Sequence, residues 1–322
     1  MLLVVVVCVA LIFDFTNGFH DTANAVATSV STRALAPRTA VALAAAMNFV
    51  GAFLTTSVAR TIGQDLIRVE AVTGRLILAA LIGAIAWNIA TWWAGLPSSS
   101  TYALLGGLIG ATWVTAGAGA IRWGQIGSRV ALPALISPVI GFTVAALVML
   151  AVYWGFRNRR PGPLNRGFRV AQIASGSLVA LAHGASDAQK TMGVIVLALV
   201  AEHHTTSFDI PLWVLLAAAS AIALGTFAGG WRIMRTLGQR VIPLEPAQGF
   251  AAQTSAASVL LATASAGLPI STTHVISGCI VGAGSARRLS SVRWGVAADI
   301  AAAGMLTVPA SAAIAALAAT FI

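Results

Sequence analysis

The sequence predicts an all-α polytopic membrane protein made of two inverted-topology repeats. Each repeat has three net crossings plus a broken, re-entrant helical hairpin. Three observations predict this. Of 322 residues, 58% are hydrophobic and 9% charged, whereas a soluble domain carries roughly 25% charged residues. The apolar runs reach the ~20 residues that a membrane helix needs. The chain also matches itself, motif by motif and in the same order. The composition excludes a disordered chain, which needs high charge and low hydrophobicity. Cys8 and Cys279 are the only cysteines, so there is no disulfide framework.

Membrane spans are expected near 1–32, 38–62, 130–156, 170–202, 211–231 and 293–320. No basic segment precedes the first apolar run and no small-residue cleavage site follows it, so it reads as a span and not a cleaved leader. The longer stretches 72–116 and 246–286 are each interrupted by a proline followed by hydroxyl residues: Pro97-Ser98-Ser99-Ser100-Thr101 and Pro269-Ile270-Ser271-Thr272-Thr273. Each is expected to be a hairpin whose tip is that turn.

Arginines set the orientation, because cytoplasmic loops carry the Lys/Arg excess. The 157–169 segment holds five Arg and is read as a cytoplasmic linker between the repeats 1–156 and 170–322. Arg33, Arg38, Arg232, Arg235, Arg240, Arg287, Arg288 and Arg293 then fall inside, giving 13 in all, and Arg60, Arg68, Arg75, Arg122 and Arg129 fall outside, giving 5. Both termini are therefore expected outside an inner (plasma) membrane. The net charge of +10 does not indicate nucleic acid, because the basic residues lie between apolar runs and not in an aromatic-interleaved stripe. The lipid bilayer is the expected surroundings. A homodimer is allowed by the sequence and not required.

The repeat rests on four matches. Asn17-Gly18-Phe19-His20-Asp21 aligns with His183-Gly184-Ala185-Ser186-Asp187 at an offset of 166, and Gly95-Leu96-Pro97 with Gly267-Leu268-Pro269 at 172. Ile121-Arg122-Trp123-Gly124 aligns with Val292-Arg293-Trp294-Gly295, and Pro138 with Pro309, both at 171. An odd number of crossings inverts the second copy. Inverted repeats with interrupted helices are a transporter signature, with the site at the midplane between the halves.

Asp14, Asp21, Asp187, Lys190 and Asp299 sit inside apolar stretches, where a charge costs about 2.5–3.5 kcal/mol even on the milder scales. Asn17, Asp21, Asn24 and Thr28 are spaced to share one helix face; His183, Asp187 and Lys190 repeat the first three positions. Lys190 is the only lysine. It can serve a phosphate as a point charge or pair with Asp187 three residues away.

The two hydroxyl turns each precede a new helical run, and a helix N-terminus capped by Ser or Thr is a ready anion site. Ser99, Ser100, Thr101, Ser271, Thr272 and Thr273, with Asn24 and Lys190, are the candidate ligands of a tetrahedral oxyanion, phosphate or sulfate. Glycines 106, 107, 110, 278, 282 and 284 follow the turns and would let helices approach closely. Two aspartates and one lysine leave this site near −1, and phosphate adds one or two negative charges. Burying that charge alone is very costly, so a cation must travel with the anion. Asp21 and Asp187 are the candidate cation or metal ligands, helped by Asn17, Asn24, Gln189 and Gln253, because oxygen ligands suit hard cations.

Gly18-Phe19-His20-Asp21-Thr22-Ala23-Asn24 and Gly184-Ala185-Ser186-Asp187-Ala188-Gln189-Lys190 closely resemble the paired signatures of the inorganic phosphate transporter (PiT) family. The hydroxyl turns match that family's hairpin tips. The resemblance covers nearly the whole chain. It implies a secondary symporter that takes up inorganic phosphate with H⁺ or Na⁺, or as a metal–phosphate complex, with no bound cofactor. It also implies that Asp21, Asn24, Asp187 and the two tips line the site. The chain departs from the family pattern at Ser186, where Asn is usual, at Tyr102, where His is frequent, and at Gln253, where many members have Glu. The last change removes a carboxylate. Other readings are a symporter of another tetrahedral oxyanion such as sulfate, and a passive anion channel. An enzyme is excluded, because no nucleophile motif accompanies His20 or His274 and His203-His204 forms no HExxH helix.

Overall fold

The structure is a computed structural model that describes residues 1–286 and 288–322; Arg287, counted above as inside, lies outside the described residues. The described residues are overwhelmingly helical, with one isolated bridge pairing Ile67 and Ile121. In order the helices are α1 (Leu2–Ser31), α2 (Pro37–Gly51), α3 (Ser57–Arg60), α4 (Gly74–Ala94), α5 (Ser100–Ala116), α6 (Trp123–Gln125), α7 (Leu132–Phe156), α8 (Pro161–Ala201), α9 (Leu212–Ala228), α10 (Trp231–Arg235), α11 (Pro246–Ser265), α12 (Thr272–Ser285) and α13 (Trp294–Ala319).

Local sequence explains the boundaries. Proline opens α2, α8 and α11, where its missing N–H costs nothing and its φ suits the first turn. Gly95 ends α4 with φ 67°, and Gly267 follows α11 with φ 70°, a left-handed geometry that stops a helix sharply. Ser99 and Ser271 then cap α5 and α12, each Oγ accepting the backbone N–H three residues on, from Tyr102 and His274, at 3.2 Å. The two hairpins, α4–α5 and α11–α12, are thus made by the same four devices in the same order: glycine stop, proline, serine cap, helix.

Four helical stretches among the described residues are long and apolar enough to cross a membrane: Leu2–Ser31, Gly74–Ala94, Trp123–Phe156 and Trp294–Ala319. A fifth forms if Leu212–Ala228 continues into Trp231–Arg240 across a 58° bend. The expected span 38–62 is broken instead into α2, α3 and a π-helical turn, Thr61–Asp65. The 157–169 linker is a loop only at its start. From Pro161 onward it is the beginning of α8, 41 residues long. Its Phe168 is buried between Phe156 and Phe250, at centroid distances of 5.5 and 5.4 Å, and that packing draws the segment into the helix. At 1.5 Å per residue α8 is about 60 Å long, twice the hydrocarbon thickness, so its arginine-bearing end projects beyond the lipid core. Asp299 is exposed near the start of α13.

The halves are interlocked. Helix α5 packs chiefly on α13, and α12 on α7; likewise α1 packs on α9, and α2 on α8. Glycines make each pairing possible. A Cβ on Gly110 would collide with the Ala312 carbonyl, and one on Gly282 with the Phe142 carbonyl. Gly18 and Gly184 are pressed in the same way against the backbones of Ile222 and Asn48. Gly282→Ala is expected to lower the melting temperature of the detergent-solubilised protein, since overpacking a tight contact costs about 1–3 kcal/mol. Gly155→Ala, in open space on the same helix pair, should leave it unchanged or raised. Equal melting of the two variants would contradict this packing.

Helices α1 and α8, which carry the two matched motifs, run antiparallel. Asp21 faces His183, and eleven residues further along α1 Thr32 donates to Gln172 Oε1 at 2.9 Å. Between them Gln253 of α11 donates to Ser29 Oγ at 2.7 Å and accepts from Ser175 at 2.8 Å. A polar seam therefore follows the α1–α8 contact.

Candidate functional site: two helix tips on one aspartate

The site forms where the tips of α5 and α12 meet the seam. The thirteen residues that the sequence singles out are all buried, none more than 3% exposed. Asp21 is the hub. Its Oδ2 accepts from Ser100 Oγ at 3.1 Å and from Thr272 Oγ1 at 3.2 Å, one hydroxyl from each tip. Its Oδ1 lies 2.7 Å from His20 Nδ1. The other nitrogen of His20 lies 3.2 Å from Thr91 Oγ1 and 3.3 Å from Ser98 Oγ. Ser100 shares its single hydroxyl proton with Asn17 Oδ1, so Asn17 reaches the site with its oxygen already engaged.

The second motif faces the first. Lys190 Nζ is 2.6 Å from Asp187 Oδ1 and also donates to Thr101 Oγ1. The expected pairing with Asp187 is present, and the ammonium also touches a tip. Asn24, its counterpart in the first half, donates to Thr273 Oγ1 at 2.9 Å. Each half thus reaches the threonine of the other half's tip. The tips also touch each other: Thr101 Oγ1 donates to the Ile270 carbonyl at 3.3 Å, and the Tyr102 and His274 rings meet edge to face at 5.2 Å.

Asp21, His183 and Asp187 each offer a ligand atom within 4.8 Å of the others. His183 Nε2 lies 3.8 Å from Asp21 Oδ2 and 3.6 Å from Asp187 Oδ2. Its Nδ1 is 3.1 Å from Asn48 Oδ1, while the Asn48 amide donates to Thr226 Oγ1 at 2.7 Å. That network holds the ring by Nδ1 and turns Nε2 toward the carboxylates. A histidine oriented through its far nitrogen is the usual arrangement for a proton or metal ligand.

Ser99 and Ser271 give their oxygens to the helix caps and shape the tips. The two glutamines fall outside the cluster. Gln189 Oε1 accepts from the Val58 N–H at 2.8 Å, and its amide donates to the Ala185 carbonyl. It therefore caps α3. Gln253 bridges Ser29 and Ser175 further along the seam. His20 and His183 as partners of the aspartates, and Asn48 as the group orienting one of them, emerge only from the structure. The signal was present: one histidine adjoins Asp21 and the other is one helical turn before Asp187.

The cluster contains hydroxyls, two helix N-termini, an ammonium and a carboxylate–imidazole–carboxylate arrangement, and no activated nucleophile. It can hold an oxyanion beside a cation. Comparison with known proteins gives the family. Residues 17–315 match the Phosphate transporter family. Proteins named probable low-affinity inorganic phosphate transporter are similar over nearly the whole chain. That of Rhizobium meliloti is 48% identical over 98% of this chain and 95% of its own, and that of Bacillus subtilis 44% over 99% and 96%. That of Mycobacterium tuberculosis is 48% identical over 96% of this chain and 74% of its own. A solved structure described as the sodium-dependent phosphate transporter is similar at TM-score 0.88 and 26% identity, over 99% of this chain and 98% of that one. The chain is a multi-pass helical transporter and not an enzyme, and it belongs to the phosphate transporter family.

Proposed function

We propose that this protein takes up inorganic phosphate together with a cation, by alternating access around the Asp21 cluster. The convergence of both hairpin tips on a single carboxylate carries this reading. The first N–H groups of α5 and α12 have no acceptor within their own helices, and the partial positive ends of both helices point at the same place. Phosphate seated there takes the hydroxyls of Ser100, Thr101, Thr272 and Thr273, with Asn24 and Lys190 at its edges. Its negative charge faces Asp21 and Asp187, so a cation must stand between them. Asp21, His183 and Asp187 hold that cation.

An imidazole nitrogen between two carboxylates suits a proton or a divalent ion accompanying phosphate better than Na⁺. The sodium dependence in the description of the similar structure favours Na⁺ as a second reading. Sulfate shares the tetrahedral shape and is the competing substrate. A passive anion channel is disfavoured, because it has no use for two buried aspartates.

The antiparallel α1 and α8 support two inverted repeats with re-entrant hairpins and the site at their interface. Paired latches support alternating access. Thr61 donates to the Gly267 carbonyl at 2.8 Å and Thr236 to the Gly95 carbonyl at 2.9 Å. Each threonine opens a π-helical turn of one half and holds the hairpin of the other. Releasing one latch while the other stays closed would open one side at a time. The arginine bias supports both termini outside.

The test is radiolabelled phosphate uptake into proteoliposomes under separately imposed H⁺ and Na⁺ gradients, with and without divalent metal. Accumulation driven by one of these cations is expected, with sulfate competing weakly. Equal uptake with no gradient would remove the symport reading.

A further inference from the structure

Asp14 is fully buried, and neither carboxylate oxygen makes a hydrogen bond of good geometry. It lies seven residues before Asp21, two turns or about 10 Å along the same face of α1. The phosphate cluster does not use it. Thr191 and Asn17 are placed to donate to it, and Asp187 and Lys190 are the charged groups that act on it from α8. Helix α9 carries no charged residue, and the single charge on α4, Arg75, is exposed in its first turn. Thr191 Oγ1 and Asn17 Nδ2 also lack hydrogen-bond partners, although both residues are buried.

Toward the N-terminus the same face turns apolar, through Phe13, Ala10 and Val6, all buried. Asp14 is therefore the last polar group on the seam before a hydrophobic plug, at the end of α1 that the arginine bias assigns to the outside. An ionised carboxylate in such a place costs several kcal/mol unless a positive charge neutralises it. Lys190 cannot do this, because it is already paired with Asp187 and bonded to Thr101.

We propose that Asp14, with Thr191 and Asn17, is a second cation-binding position, taken by a proton or Na⁺ when the transporter binds phosphate. The proposal rests on the symport reading above and adds one cation to it. With Asp14 loaded, the seam carries one positive charge more per phosphate than the Asp21–His183–Asp187 cluster alone supplies. The cation is held one step outward of the main site.

The test uses phosphate binding to the purified full-length protein, measured as a function of pH in one arm and of Na⁺ in the other. The slope of log affinity against log cation concentration counts the cations taken up with phosphate. In one arm, Asp14→Asn is expected to lower that slope by about one relative to the parent, and Asp14→Glu to restore it. Phosphate's own titration cancels in the difference between proteins. The arm in which the slope changes identifies the ion. An unchanged slope in both arms would overturn the proposal. So would loss of phosphate binding at every cation concentration, which would make Asp14 part of the anion site or of the fold. A parent protein with no slope in either arm would instead remove the symport reading itself, before any variant is compared.

Discussion

Asp21→Asn is expected to lower phosphate uptake by about 100-fold or more while the protein still inserts and remains folded. Asp21 accepts hydroxyls from both hairpin tips and contacts His20 and His183. An amide at this position keeps one acceptor oxygen and turns an NH₂ toward one set of donors. Hydrogen bonds to a charged group contribute about 1.5–3 kcal/mol each. Phosphate takes over the two tip hydroxyls, so the loss falls on the cation, which loses a charged ligand; roughly 3 kcal/mol, the upper end for one such contact, is about two decades in an equilibrium constant. The substitution removes one of the two carboxylates that neutralise the travelling cation. Initial uptake rates normalised to inserted protein give the answer. Uptake within about threefold of the parent, less than ~1 kcal/mol, is incompatible with Asp21 as the hub.

Lys190→Gln is expected to act first on folding. Its ammonium is wholly buried and pairs with Asp187, also wholly buried. Removing one partner of a buried ion pair leaves an uncompensated charge and costs about 3–5 kcal/mol, enough to empty the membrane of folded protein. The double variant Lys190→Gln with Asp187→Asn should recover the folded protein, seen as a monodisperse peak in detergent. It should still fail to accumulate phosphate, because the tip contact through Thr101 and one cation ligand are both gone. Normal yield of Lys190→Gln alone would contradict the structural half of this account. Accumulation by the double variant would contradict the functional half.

Much of this architecture was legible because membrane proteins expose their costs in the sequence. Charges in apolar runs are few, so Asp21, Asp187 and Lys190 stood out, and the structure brings all three to one place. The hairpin tips were legible because a glycine stop, a proline and a serine cap are each local devices. What was not legible depends on partners distant in sequence. Gln189 and Gln253 looked like site ligands, but an amide satisfies a helix end or bridges two serines equally well, and only packing decides which. The 157–169 segment reads as a linker from its five arginines. Proline at a helix start is favourable, however, and Phe168 finds a buried aromatic pocket that no local pattern announces. The histidine roles emerge only from the structure because they require Asn48 and Thr226, from two other helices, to fix the ring.

The most direct test of the central claim is an experimental structure of the protein saturated with phosphate. Phosphate is predicted between the α5 and α12 tips, within hydrogen-bonding distance of Ser100, Thr101, Thr272 and Thr273 and adjoining Asp21. Phosphate bound elsewhere, with these hydroxyls still turned onto the Asp21 carboxylate, would contradict it.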